Sequence, residues 1–321
     1  MSSPVVPSVS LASAPAASAT PQLKKASAFG RYELLGWAAL ALTLCIWAAF
    51  FISLRAGARA ALPPAELALL RFGPAGLLFA PLLWRRRARF AAVPAKLWVL
   101  IVAGAGLPYF LVAGWGMRHA PVADGATLIP GTLPLFTALL AAALHGRAAL
   151  ARWPALLCIA AGIATLLAMK AGHAGLAQGY AMFLLGSLMW SAYTLALREA
   201  KLAPIEAAAM ISSVSLLLLL PLLLWQFAQG GVASFGLPQL SGQQWLLQLG
   251  IQSIGVGLIS TLSYSFAVAR LGAQRSATAG ALTPVLATLL ALPLFGEQPD
   301  GATIIGMLLI AAGVLWSQRA R

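Results

Sequence analysis

Apolar stretches of about twenty residues recur along this 321-residue chain, separated by short polar segments. Ten can be placed, near 33–54, 64–84, 97–117, 122–144, 152–169, 176–198, 204–227, 244–269, 273–295 and 300–318. At about 1.5 Å per residue, each is about long enough for a helix to cross a hydrocarbon core of about 30 Å. The apolar positions are continuous rather than alternating, which excludes a transmembrane β-barrel. Most connections are short, as neighbouring antiparallel helices require. The longest, from Gln226 to Gln243, is rich in Gly, Ser and Gln.

The pattern repeats. The stretch VADGATLIPGTLPLFTALLAAALHG followed by WPALLCIAAGIATLL is written again about 150 residues later, across 272–315. Pro134 then matches Pro284, Gly146 matches Gly296 and Gly162 matches Gly313. Earlier in each half, GWAALALTLCIWAAFFISLR matches GYAMFLLGSLMWSAYTLALR, pairing Gly36 with Gly179, Trp47 with Trp190 and Arg55 with Arg198. LPPAE and LAPIE open the second span of each half and pair Glu66 with Glu206. The expected organisation is a Ser-, Ala- and Pro-rich disordered tail over 1–28, a first repeat over 29–170 and a second over 171–321.

Each repeat holds five spans, an odd number, so two copies in series must lie upside down relative to one another. The predicted fold is therefore an all-α polytopic membrane protein of ten transmembrane helices, arranged as two inverted five-helix repeats. Such a pair supplies two related shapes of similar energy, each open to one side, and so suits alternating access. A scaffold that repeats without transporting is the alternative from another class.

Composition sharpens this. The chain is 61% hydrophobic and 9% charged, against about 25% charged in ordinary soluble domains. A net charge of +14 raises the question of nucleic acid. The basic residues, however, sit between apolar runs, where membrane topology is set, and no nucleic-acid partner is expected. Of the 21 Lys and Arg, 16 fall on the side that carries both termini and four on the other. Both termini should be cytoplasmic, in a multi-pass protein of a bacterial-type inner membrane, with Arg85, Arg86, Arg87 and Arg89 as the main anchor. These arginines suit contact with anionic lipid of the bilayer. Cys45 and Cys158 fall inside apolar spans, so neither a disulfide framework nor a metal site is indicated. No phosphate-binding, zinc-protease or serine-hydrolase motif is present, which leaves an enzyme unsupported and no cofactor expected.

The second half, from YSFAVARLGAQRSATAGALTPVLATLLALPLFGE to IIGMLLIAAGV, resembles the EamA family of the drug/metabolite transporter superfamily, and the likeness covers about residues 33–318. The resemblance implies ten helices, two five-helix repeats and export of small metabolites. Within the family the chain is similar to amino acid exporters, which implies amino acids, aromatic ones included, as the substrate class. Carriers of drugs or other metabolites from the same superfamily are the alternative. One departure stands out: the turn Leu294-Phe295-Gly296-Glu297 is replaced in the first half by Leu144-His145-Gly146-Arg147, so any role of Glu297 is not duplicated.

Candidate substrate contacts follow from residues that are costly inside a bilayer. Arg71 is the one charge well inside a span; it either meets a substrate carboxylate or pairs with Glu66 and snorkels. Trp47 and Trp190 lie too deep for interfacial anchors, and their indole N–H groups need a polar partner or a cavity. With Tyr109, Trp115, Tyr193 and Tyr264 they either line an amphipathic cavity or pack between helices. Span 8 is the most polar; Gln248, Gln252 and Ser263 face water or bond between helices. Pro130, Pro134 and Pro284 interrupt helical bonding in spans 4 and 9; the freed carbonyls either bind substrate amines or permit a kink, and a kink is the expectation. Ala155/Gly162 and Gly306/Gly313 mark close helix packing, and Arg55, Arg118, Arg198 and Arg270 read as interface anchors. Acidic and histidine residues all lie near span ends, so no midplane proton relay is expected, and transport is either facilitative or weakly coupled through another site. The expected partners are a small-molecule substrate and the lipid bilayer, with a monomer as the starting assumption.

Overall fold

The structure, a computed structural model, describes residues 20–146, 150, 152–169 and 174–319. Of the expected tail, residues 1–19 lie outside the described residues, as does Arg147 of the first-half turn. Among the described residues the chain is helical throughout its ordered elements, with no strand.

Fifteen α-helices follow in order. They are α1 (Thr20–Arg59), α2 (Pro64–Arg85), α3 (Arg87–Ala91), α4 (Ala95–Ala105), α5 (Leu107–His119), α6 (Val122–Gly131), α7 (Leu133–His145) and α8 (Trp153–Met169) in the first half. The second half holds α9 (Ala174–Ala200), α10 (Pro204–Gly230), α11 (Gly242–Leu249), α12 (Ser260–Leu271), α13 (Ala273–Gly280), α14 (Thr283–Phe295) and α15 (Gly301–Arg319). Eight helices or helix pairs among the described residues are long and apolar enough to cross a membrane, and the chain is a multi-pass membrane protein. Two shorter apolar helices, Trp153–Met169 and Thr283–Phe295, stand where the fifth and ninth spans are expected.

Several expected spans are broken, and local chemistry accounts for each break. Between α4 and α5 the chain turns at Gly106, followed by Pro108, which has no N–H. The freed Leu107 N–H is taken by Ser215 Oγ of α10 at 2.9 Å. Spans 4 and 9 break at matching places, Thr132 and Leu282, just before Pro134 and Pro284 at the second position of α7 and α14. Proline is tolerated in a first helical turn because its missing N–H would have no partner there. Pro130 sits just before the first break, inside α6. Span 8 stays continuous but loosens: Gly250–Ile259 between α11 and α12 is a π-helix, a form often found at functional sites.

Packing joins the halves through matched helices laid antiparallel. Against α2 runs α10: Glu66, at the start of α2, reaches Gly236 beyond the end of α10, and Glu206, at the start of α10, reaches Arg86 beyond the end of α2. Along α8 and α15 the same order holds, with Gly313 against Ala155 and Gly306 against Leu166. A methyl group on Gly162 would come within 2.9 Å of the Gly306 carbonyl, and one on Gly313 within 2.8 Å of the Ala155 carbonyl. Only glycine permits so close a seam, as its sequence spacing predicted. The first helix of each half crosses to the third span of the other: Gly36 meets Leu271 and Ser53 meets Gln248, while Gly116 meets Phe183 and Gly104 meets Met189.

Candidate functional site

Four of the six aromatic residues named from the sequence fall into two pairs. Trp47 of α1 packs on Tyr264 of α12 with ring centroids 5.1 Å apart, and Trp190 of α9 packs on Tyr109 of α5 at 5.2 Å. Trp47 and Trp190 are repeat-related, so the pairs are counterparts. Each joins the first helix of one half to the third span of the other. Both tryptophans and Tyr264 remain half-buried, whereas Tyr109 is buried. The Tyr109 hydroxyl has no hydrogen-bond partner among the described residues.

Arg71 lies in the middle of α2 and is half-buried. Its Nη1 donates to the backbone oxygen of Gln252, in the π-helical turn, at 3.2 Å. The guanidinium lies 5.6 Å from the Phe72 ring centroid and within electrostatic range of Tyr109. Among the described residues no carboxylate pairs with it. The alternative partner, Glu66, is occupied elsewhere: it accepts from Gln226 Nε2 at 2.8 Å and from the Gly236 and Leu237 N–H groups at 2.9 and 2.8 Å.

The other named residues divide. Tyr193 is half-buried, one helical turn from Trp190, and its Cβ limits the side chain at position 104 to hydrogen. Ser263 shares a 2.7 Å hydrogen bond with Thr43 across α1 and α12, and so ties helices together. Trp115 is not brought to the cluster; it is exposed on the outer surface, with the Arg118 guanidinium 4.8 Å from its ring centroid. Gln248 and Gln252 are buried and bond to Ser53 of α1, the interhelical choice rather than the water-facing one.

Two features went unnoticed in the sequence. Arg55, read as an interface anchor, donates from Nε to Glu297 Oε1 at 2.6 Å, and Arg59 Nη2 joins it at 3.0 Å. Glu297 Oε2 also accepts from the Val122 N–H at 2.9 Å, so this turn of the second half closes onto α1 and α6 of the first. Asp124, at the start of α6, is fully buried and accepts from the Tyr180 hydroxyl at 2.6 Å and Thr303 Oγ1 at 2.7 Å. The non-duplicated Glu297 was the available signal for the first. Nothing local marked the second. Among the described residues no group of His, Cys, Asp and Glu could hold a metal ion.

Comparison with known proteins agrees with this arrangement. The model of the EamA-like transporter family matches residues 34–168 and again 177–318, the two halves in turn. A curated relative from Streptantibioticus cattleyicolor, described as a probable terminal-alkyne amino-acid exporter, is 27% identical over 294 residues, which is 88% of this chain and 92% of the relative. A solved crystal structure, of a protein with no more specific description, superposes with a TM-score of 0.54 at 23% identity over 89% of this chain and 95% of that one. At that identity it supports the fold alone.

Proposed function

Because the chain belongs to the EamA-like transporter family, we propose that it exports small amphipathic metabolites, amino acids above all, by alternating access across a bacterial-type inner membrane. Ten spans carry this reading, the eight long helices together with Trp153–Met169 and Thr283–Phe295. Both termini face the cytoplasm, the side favoured by the basic residues.

The observation that carries the reading is the antiparallel exchange between matched helices. Two similar bundles laid head to toe and gripping one another through equivalent contacts can exchange roles, so that a shape closed to one side has a counterpart closed to the other. The breaks at Thr132 and Leu282 supply matching hinges at Pro134 and Pro284. Arg71, without an acidic partner, suits the carboxylate of the substrate, and the two Trp–Tyr pairs suit its apolar end. The relative described as an amino-acid exporter supports the substrate class.

The test is counterflow of radiolabelled amino acids in proteoliposomes. Accumulation of at least one amino acid, strongly reduced but still measurable in Arg71→Ala and reduced by Trp190→Ala in folded protein, is expected. Absence of flux for every amino acid overturns the substrate class, and a flux driven by an imposed pH gradient overturns the facilitative mechanism.

A further inference from the structure

The π-helical turn of span 8 places two functions on one residue. Gln252 holds Arg71 through its backbone oxygen, and its side chain belongs to a network that leaves a single choice of orientation. Gln248 Nε2 donates to the Ser53 backbone oxygen at 3.1 Å, which turns Gln248 Oε1 toward the Ser53 hydroxyl as an acceptor. The hydroxyl has one proton and gives it to Gln248. Ser53 Oγ must therefore accept from Gln252, and it does so from Nε2 at 2.7 Å. The amide cannot be reversed without facing an acceptor with an acceptor. Gln252 is left presenting Oε1, a fully buried carbonyl oxygen with no hydrogen-bond partner among the described residues.

The Tyr109 hydroxyl is another buried polar group without a hydrogen-bond partner among the described residues. A positive charge and an oxygen able only to accept thus meet at one residue: Arg71 bonds to the backbone of Gln252, whose side chain presents Oε1. A simple carboxylic acid answers the first and leaves Gln252 Oε1 unmet. A simple amine answers Gln252 and sets its charge against Arg71. A zwitterion answers both.

Resting on the amino acid reading above, we propose that Gln252 Oε1 receives the substrate ammonium while Arg71 receives the carboxylate, so that residue 252 is the determinant that separates amino acids from their deaminated analogues. Gln252 Oε1 is sealed in this conformation, and the substrate reaches it as the helices part. A hydrogen bond to a charged group is worth roughly 10- to 100-fold in affinity.

The test uses the full chain in proteoliposomes and three competitors against the best-carried labelled amino acid. They are L-phenylalanine, 3-phenylpropanoate, which lacks the ammonium, and 2-phenylethylamine, which lacks the carboxylate. Wild type should favour phenylalanine over both by roughly tenfold or more. Gln252→Leu should erase the preference over the acid and keep the preference over the amine; Arg71→Gln should do the reverse. Ratios within one preparation are unaffected by the fraction of active protein. Should Gln252→Leu not fold, Ser53→Ala, which frees the amide to rotate, should narrow the preference over the acid. Preferences that ignore residues 252 and 53, in a wild type that carries amino acids, overturn this inference alone. A wild type that carries none overturns the earlier reading instead.

Discussion

Glu66 and Glu206 occupy the same place in the two halves, the third residue of a helix that opens on proline, and each grips the chain beyond the end of the other's helix. Their surroundings differ. Both carboxylates are buried, but Glu66 is held by neutral donors, the N–H groups of Gly236 and Leu237 and the amide of Gln226. Glu206 is held by two arginines, Arg86 at 2.7 Å and Arg89 at 2.9 Å, and by the N–H of Ala203 at 2.9 Å. Duplication preserved the geometry of the grip, while the loop that meets each glutamate supplied its chemistry. The loop that meets Glu66 lies where Lys and Arg are scarce. The loop that meets Glu206 carries the basic cluster Arg85, Arg86, Arg87 and Arg89, two of which reach the carboxylate.

The comparison breaks most readily at Glu66. Glu66→Ala leaves three buried or half-buried donors without an acceptor, and an unsatisfied buried donor costs about 1–3 kcal/mol. A loss of about 3 kcal/mol is expected, read as a large drop in the thermal unfolding midpoint of the detergent-solubilised protein. Glu66→Gln should recover part of it, because the remaining oxygen still accepts from the Gly236 and Leu237 N–H groups while the new NH₂ group turns a donor toward the Gln226 amide.

Glu206→Ala should cost less, about 1 kcal/mol, from the lost first-turn hydrogen bond and two ion pairs to solvated partners. Arg86 and Arg89 each expose 53% of their side chains, so both rehydrate when the carboxylate is removed. Equal midpoint drops for the two alanine variants would mean that donor chemistry does not separate these sites.

These glutamates also mark how far the sequence could be read. Their equivalence was legible, because LPPAE and LAPIE recur in register. So were the matched spans, the glycine seam between α8 and α15 and the interruptions at Pro134 and Pro284, all of which are written in local pattern. The partners were not. Glu66 meets Gly236 and Leu237 through backbone N–H groups, which every residue but proline possesses, and side-chain identity gives no hint of them. The ten-residue π-helix escaped because its two polar side chains, Gln252 and Ser253, are adjacent, and one neighbouring pair fixes no pitch. Trp115 was grouped with the deep aromatics on residue type, yet helical rotation turns it outward beneath Arg118. Arg55 looked like an anchor until the fold brought Glu297 to it from 242 positions away.

Salt gives the finest discrimination between the two grips. Raising it from about 0.1 M to about 1 M shortens the electrostatic screening length from about 10 Å to about 3 Å. The arginine–Glu206 contacts are exposed enough to feel this. The cage around Glu66 is buried and made of neutral donors, so screening has little to act on. The penalty of Glu206→Ala, measured as the midpoint difference from wild type at each salt concentration, should therefore shrink by a few tenths of a kcal/mol. The penalty of Glu66→Ala should stay constant. If both penalties shrank together, the Glu66 site would be reaching a charge that the contacts around it do not contain, and the division between a neutral grip on one face and a charged grip on the other would fail.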